Sequence, residues 1–277
     1  MISDELVLSH HSIRHANFPQ RVRAAAAAGY AGIGLKLGEY ERLRAAGHSD
    51  AELCEVLAAR GQQVMAYEAL RGWASSGPAR EQYFAHLRTI EQMVAAFGPP
   101  RHVQVIGPYE GDVDAAAAGF AAVCDHFAGL GTRAAIEYLP QMSNIPDAAS
   151  AWAIASAAGR DNGGLCVDAW HHFRSGEGFE ALARIPAERV FDVQLDDGPL
   201  RPTHPDYYTD CTSYRVVPGA GEFDLVGFLR VLDDMGVVAL IEVEVISVDL
   251  DRLRCDDAAQ RMADGARAVL AAARQSR

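Results

Sequence analysis

Residues 133–138, Arg-Ala-Ala-Ile-Glu-Tyr, lead through a polar loop into Pro146-Asp-Ala-Ala-Ser-Ala-Trp-Ala-Ile-Ala-Ser-Ala-Ala-Gly159, and the chain resumes with Gly164-Leu-Cys-Val-Asp168. The outer two pieces are short, apolar and bounded by Gly, Pro or charge, as strands are. The middle piece is alanine-rich and stops at a glycine, as a helix does. Strand, helix and strand in this order make a βαβ unit, whose two strands run parallel.

The same alternation extends outward in both directions. Strands are expected at 5–9, 32–37, 63–68, 102–107, 133–138, 164–168, 190–195 and 238–246. Helices are expected at 19–28, 50–60, 79–97, 112–129, 146–158, 222–235 and 256–274, with a shorter one at 177–185. The first helix has Pro19 in its opening turn and Gly29 just past its end, the usual asymmetry of helix termini. Eight βα repeats predict closure into a (β/α)8 TIM barrel. A doubly wound open sheet is the alternative, but it has no reason to stop at eight. No linker or low-complexity tract interrupts the pattern, so residues 1–277 read as a single TIM-barrel domain.

Composition sets further bounds. The 25 Lys+Arg against 37 Asp+Glu give a formal charge of −12, which opposes the phosphate neutralisation that nucleic-acid binding requires. Hydrophobic residues at 49% are ordinary for a globular protein, and at this length no disulfide or structural metal is needed for stability. Cys54, Cys124, Cys166, Cys211 and Cys255 are scattered and never form C-x-x-C, a pattern of reduced thiols. The opening Met-Ile-Ser-Asp-Glu-Leu carries acids where a signal peptide carries positive charge, and no apolar run approaches the ~20 residues of a membrane span. A cytoplasmic protein with no membrane or nucleic-acid partner is expected. Apolar barrel helices often pack on a second copy, so a homo-oligomer is compatible, though nothing identifies an interface.

In such a barrel the active site lies at the C-terminal ends of the strands. Strand three ends in Glu68, strand five in Glu137, strand six in Asp168, strand seven in Gln194 and strand eight in Glu244. Any one of these acids is explained equally well by a salt bridge to Arg71 or Arg215, or by exposure. Four oxygen-bearing residues on consecutive strands are harder to explain that way. Three carboxylates crowded together repel, and a divalent cation removes the repulsion. Glu137, Asp168, Gln194 and Glu244 form an all-oxygen set suited to Mn²⁺ or Mg²⁺; Co²⁺ and Zn²⁺ fit less well, because no Cys or His is among the four. Glu242 shares a face with Glu244 but lies one layer down, where a salt bridge would hold it.

Other residues complete the candidate site. His171, three after Asp168 on the loop leaving strand six, can carry a proton for a bound substrate. Of the remaining histidines, His10 at the end of strand one is the one placed to reach the mouth, whereas His172 reads as loop packing. Arg215, in the loop running from 215 to 224, can hold a carboxylate or hydroxyl of substrate. Trp73, in Glu68-Ala-Leu-Arg71-Gly-Trp73, reads equally as an apolar wall of the site or as core.

Together, Ala-Ile-Glu137-Tyr-Leu-Pro140, Val-Asp168-Ala-Trp-His171, Val-Gln194-Leu-Asp-Asp-Gly, Pro218-Gly-Ala-Gly-Glu-Phe-Asp and Val-Glu244-Val-Ile-Ser resemble the sugar phosphate isomerase/epimerase superfamily. These xylose-isomerase-like barrels include inosose dehydratases, 3-dehydroshikimate dehydratases and a DNA-repair endonuclease branch. The resemblance implies one divalent metal on Glu137, Asp168, Gln194 and Glu244, and substrate contact for His171. Most sugar epimerases carry histidine where this chain has Gln194, which makes it more similar to the 3-dehydroshikimate dehydratase branch. The extra histidines of the endonuclease branch are missing.

The expected reaction is proton abstraction next to a carbonyl on a small polyhydroxylated keto substrate, with Glu137, Glu244 or His171 as base and Glu68, Arg215, Trp73 and His10 around the substrate. Returning the proton to the neighbouring carbon gives an isomerase, and returning it to the opposite face gives an epimerase. Expelling a β-hydroxyl through the same enediolate gives a dehydratase. A non-catalytic ligand-binding or accessory barrel is the contrasting reading.

Overall fold

The computed structural model describes residues 3–275. Eight parallel strands close into a barrel in chain order: β1 (Leu6–Leu8), β2 (Gly32–Lys36), β3 (Val64–Leu70), β4 (His102–Ile106), β5 (Ala134–Glu137), β6 (Gly163–Asp168), β7 (Val190–Leu195) and β8 (Leu240–Val243). Closure comes from β1 against β8, with Leu6 opposite Ile241 and Leu8 opposite Val243. Each strand turns one set of alternate side chains toward the helices. Leu6 and Leu8, Val103 and Val105, Leu165 and Val167, and Ile241 and Val243 form this outer core with the apolar stripes of the helices.

The helices start where their caps dictate. Asn17 caps Phe18–Ala27 and Ser49 caps Asp50–Ala58, each in a reciprocal capping box, and Asp147 caps Ala148–Ala158 in the same way. Gly159, in the left-handed conformation, ends the last of these.

Several boundaries differ from expectation, each for a local reason. The helix expected at 222–235 is Leu225–Met235, because Asp224 accepts from the Gly227 amide and sets the start. Strand eight is shorter than 238–246, so Glu244 lies just past its end. His171 is not on a loop. The Asp168 carboxylate accepts its backbone N–H at 3.1 Å and caps a short helix, Ala169–Ser175, that begins directly at the end of β6. The helices Leu37–Ala45 and Tyr207–Ser213 were not expected.

The inward face of the barrel is unusual in its chemistry. At the bottom it is apolar, with Val7, Met65, Ala66 and Leu240 in contact. Above them the interior turns polar: His102, Gln104, Asp192 and Glu242, then Glu68, Glu137, Asp168, Gln194 and Glu244, all buried. Branched aliphatic residues usually fill these layers. No helix among the described residues is long and apolar enough to cross a membrane.

Candidate active site and metal centre

The mouth opens on a cavity of about 570 Å³, lined in part by His11, Lys36, Glu68, Arg71, Glu137, His171, Arg215 and Glu244. The four residues expected to hold metal arrive on β5, β6, β7 and the residue after β8; Glu137 and Glu244 line the cavity, while Asp168 and Gln194 are fully buried. Glu137, Asp168 and Gln194 meet most closely. The Gln194 amide lies 2.9 Å from Glu137 Oε1 and 3.2 Å from Asp168 Oδ2. With its nitrogen inward it donates to both; with its oxygen inward it completes a cluster of three oxygens, the arrangement a cation asks for. His171 adds its ring, with Nε2 at 3.6 Å from Glu137 Oε1 and 3.7 Å from Asp168 Oδ2. The Tyr207 hydroxyl, from the unexpected helix, sits 2.7 Å from His171 Nδ1 and fixes the ring. Burial lowers the imidazole to about 4, so it is neutral.

Glu244 is held differently. Its Oε1 accepts from Ser9 Oγ and lies near His11 Nδ1, both at 3.0 Å, and its Oε2 lies 3.1 Å from Arg215 Nη1. Burial pushes this carboxyl up, but the guanidinium and the His11 hydrogen bond outweigh it and bring it to about 2. Glu137, which makes no ion pair with Arg215, is raised well above the ordinary carboxylate range by burial and by the charges of Glu244 and Asp168, against the lowering effect of the Arg215 charge.

Arg215 is fully enclosed. Its Nη1 lies 2.7 Å from Asp168 Oδ2, contacts Asp196 Oδ2 and faces Glu244, while its Nε donates to the Cys211 carbonyl at 3.1 Å. One nitrogen thus stands among three carboxylates, where it supplies positive charge to the ring itself. Its side chain also lines the cavity, so this role in the ring stands beside the expected contact with substrate.

Two expectations are corrected. Trp73 is fully buried, donates its indole N–H to the Ile106 carbonyl at 3.0 Å and packs against Phe120, so it belongs to the core and not to the cavity wall. His10 pairs through Nδ1 with Glu39 Oε2 at 2.7 Å and does not line the cavity. Its neighbour His11 does. His11 Nδ1 bridges Glu68 Oε2 at 3.1 Å and Glu244, and the outer edge of its ring is 27% exposed. β1 ends at Leu8, and in the turn that follows Ser9 and His11 reach Glu244 while His10 reaches Glu39. Glu68 lies at the mouth as expected, brought to about 2 by His11 against the opposing effect of burial. Glu242 does lie one layer down, but no salt bridge reaches it among the described residues.

The donor set fits a divalent ion. Glu137, Asp168 and His171 bring potential ligand atoms together with the Gln194 amide against two of them, and a further group, His11, Glu68 and Glu244, also clusters. Within the first group Glu137, Asp168 and His171 each offer an atom within 4.8 Å of the others.

Comparison with known proteins agrees with this architecture. A model of the xylose isomerase-like TIM barrel family matches residues 22–272. The chain belongs to that family. A 3-dehydroshikimate dehydratase from Pseudomonas aeruginosa is 25% identical over 258 residues, 91% of this chain and 39% of the dehydratase. An inosose isomerase from Bacillus subtilis is 29% identical over 132 residues, covering 47% of this chain and 46% of the isomerase. The matches thus span less than half the length of these curated relatives. Among solved structures, the IolI protein with a zinc atom bound superposes with a TM-score of 0.86 at 18% identity, covering 96% of this chain and 98% of that one. A D-allulose 3-epimerase from Methylomonas sp. in complex with D-allulose superposes at 0.71 and 16% identity, covering 94% and 95%. The relatives are enzymes, and at these identities the structural likeness concerns the fold.

Proposed function

We propose that this protein is a divalent-metal-dependent isomerase or epimerase that removes a proton next to a carbonyl on a small polyhydroxylated substrate. The observation that supports the proposal is that Glu137, Asp168 and Gln194 meet at the C-terminal ends of β5, β6 and β7 with His171 beside them, and that Glu137, His171 and Glu244 line one cavity there. Glu137, Asp168 and Gln194 would hold the ion, with Glu244 joining by exchanging one of its present partners. Mn²⁺ or Mg²⁺ suits the oxygen donors; the nearby His171 nitrogen, and the zinc in the IolI structure, also admit Zn²⁺ or Co²⁺. Bound there, the ion supplies Lewis acidity that polarises the substrate carbonyl.

The protein's own groups do the rest. Glu137, the ring carboxylate that makes no ion pair with Arg215, would be kept ionised by the bound ion's charge and would then accept the proton at a carboxylate oxygen. The electron pair of the broken C–H bond moves into the carbonyl and gives an enediolate, and returning the proton completes isomerisation or epimerisation. Arg215 holds Asp168, Asp196 and Glu244 in register and keeps positive charge beside the developing oxyanion. His171, neutral and oriented by Tyr207, presents Nε2 to a substrate hydroxyl. In Glu137→Gln protein, turnover is expected to vanish and metal content to fall while the fold persists; full turnover in that variant refutes the proposal.

A second reading, dehydration with loss of a β-hydroxyl, is favoured by the cations of the same cavity. Lys36 and Arg71 line it, and Arg71 makes no hydrogen bond or ion pair among the described residues, which suits a substrate bearing a carboxylate. The dehydratase relative also matches nearly the whole chain. Release of water from 3-dehydroshikimate, against interconversion of inososes, separates the two readings.

A further inference from the structure

Below the mouth the barrel holds a second set of ligating side chains that the proposed reaction does not use. His102 on β4, Asp192 on β7 and Glu242 on β8 point inward, are fully buried, and each offers an atom within 4.8 Å of the others. Their partners are few. Both ring nitrogens of His102, both carboxylate oxygens of Glu242 and Oδ1 of Asp192 have no hydrogen-bond partner among the described residues. Asp192 Oδ2 accepts only the Cys166 thiol at 3.3 Å and lies 3.6 Å from His102 Nε2. No Lys or Arg forms an ion pair with Asp192 or Glu242 among the described residues, so nothing plays the part that Arg215 plays above.

Two neighbours shape this chamber. Glu68 on β3 lies beside Glu242 over Gly34 and also meets His11, so it connects the chamber to the mouth. Gly34 on β2 leaves room for both acids; a Cβ there would collide with Oε1 of Glu68 and Oε1 of Glu242. Buried polar groups ordinarily find partners, and so many unpaired ones in one chamber point to something that completes them. A neutral imidazole with two carboxylates is a ligand set for a borderline transition metal.

We propose that His102, Asp192 and Glu242 bind a second divalent transition-metal ion of the Zn²⁺ or Co²⁺ type inside the barrel, beneath the catalytic ring. The ion ties β4, β7 and β8 together and gives the buried acids the positive charge that the protein does not provide. Glu68 serves as the carboxylate shared between the two layers.

The test is metal content of the full chain, stripped with chelator, reloaded with a modest excess of Zn²⁺ and desalted. The unmodified protein is expected to retain two ions, Glu137→Gln to retain the interior one, His102→Gln to lose the interior one, and the double variant to retain none. In the Glu137→Gln background, chelation is expected to lower Tm and zinc to restore it. Anomalous diffraction from crystals of the unmodified protein grown with zinc requires no substitution and is expected to show a peak about 2.0–2.1 Å from a His102 nitrogen, the usual zinc–imidazole distance. Equal zinc content in His102→Gln and unmodified protein, or a peak at the mouth with none beside His102, overturns the interior site and leaves the catalytic reading standing. Those results would mean that Glu68, Glu242 and Asp192 share protons among themselves.

Discussion

The ring at the mouth and the chamber beneath it are both built from buried carboxylates on the inward faces of the same strands, yet only the ring has a protein cation inside it. Arg215 Nη1 stands among Asp168, Asp196 and Glu244, and Ser9, His11 and Gln194 take up further oxygens. Around His102, Asp192 and Glu242 the described residues supply a single thiol donor. Buried charge alone therefore does not mark a reactive site. The ring is partnered by groups that substrate or metal can displace, at the wall of a cavity, whereas the chamber is closed and under-partnered, as a structural site would be.

The largest effect that tests this contrast is expected from Asp168→Asn. It removes the acid that touches Gln194, His171 and Arg215 together, and turnover should fall by roughly a thousandfold, on the scale of losing a preorganised electrostatic group. Steady-state kinetics checks this, and a loss under tenfold would show that the ring is not the reacting site. Next is Arg215→Met, which strands three buried carboxylates and should cost about 3–5 kcal/mol of stability. Urea unfolding with and without Mn²⁺ measures it: the ion should recover more stability in the variant than in the unmodified protein, since it replaces the missing charge.

A smaller effect is expected in the lower layer. Gly34→Ala pushes a methyl group against Glu68 and Glu242, for a cost of about 1–3 kcal/mol by overpacking. Thermal unfolding reads it, and an unchanged Tm would mean that the chamber is looser than its geometry implies. The smallest concerns a buried base outside both layers. His172 stacks on Phe179 beside Phe228, and burial lowers it to about 4 from an ordinary 6.5. The unfolded chain takes up this proton near 6.5 and the folded chain only near 4, so the contribution is complete above pH 6.5 and is lost as pH falls through that window. His172→Phe should flatten that part of the stability profile; an unaltered slope would assign the acid sensitivity to other groups.

Much of this molecule was legible in its sequence because the barrel repeats one local rule eight times. Short apolar runs before alanine-rich segments need no tertiary information, and the acids that end β5, β6 and β8 stand out against apolar neighbours. What escaped depends on facing and on long loops. His102 opens β4 and Asp192 lies mid-strand in β7, where a polar residue reads as an ordinary solvent-facing alternation until closure turns that face inward; Glu242 was legible beneath Glu244, but not its neighbours on the other strands. His11 lies in the turn after β1, whose path no strand periodicity sets, so its reach into the mouth is not legible from spacing. Arg215 reaches the ring because the loop after β7 folds back on itself, with Asp197 accepting the amides of Gly219, Gly221 and Phe223. That path, and the helix Tyr207–Ser213 within it, depends on contacts distant in sequence. Trp73 could not be assigned to wall or core without knowing that Ile106 offers it a carbonyl.

The central claim is that these carboxylates and a divalent ion together loosen a proton beside a carbonyl. Its most direct test is solvent-deuterium exchange into inososes, ketoses and 3-dehydroshikimate, followed by NMR with metal-loaded and metal-stripped protein. Exchange at the carbon next to the carbonyl of at least one of these compounds, present with metal and absent after stripping, is the predicted result. Exchange at the same rate in the stripped protein, or tight binding of these compounds with no exchange in any of them, would contradict the account.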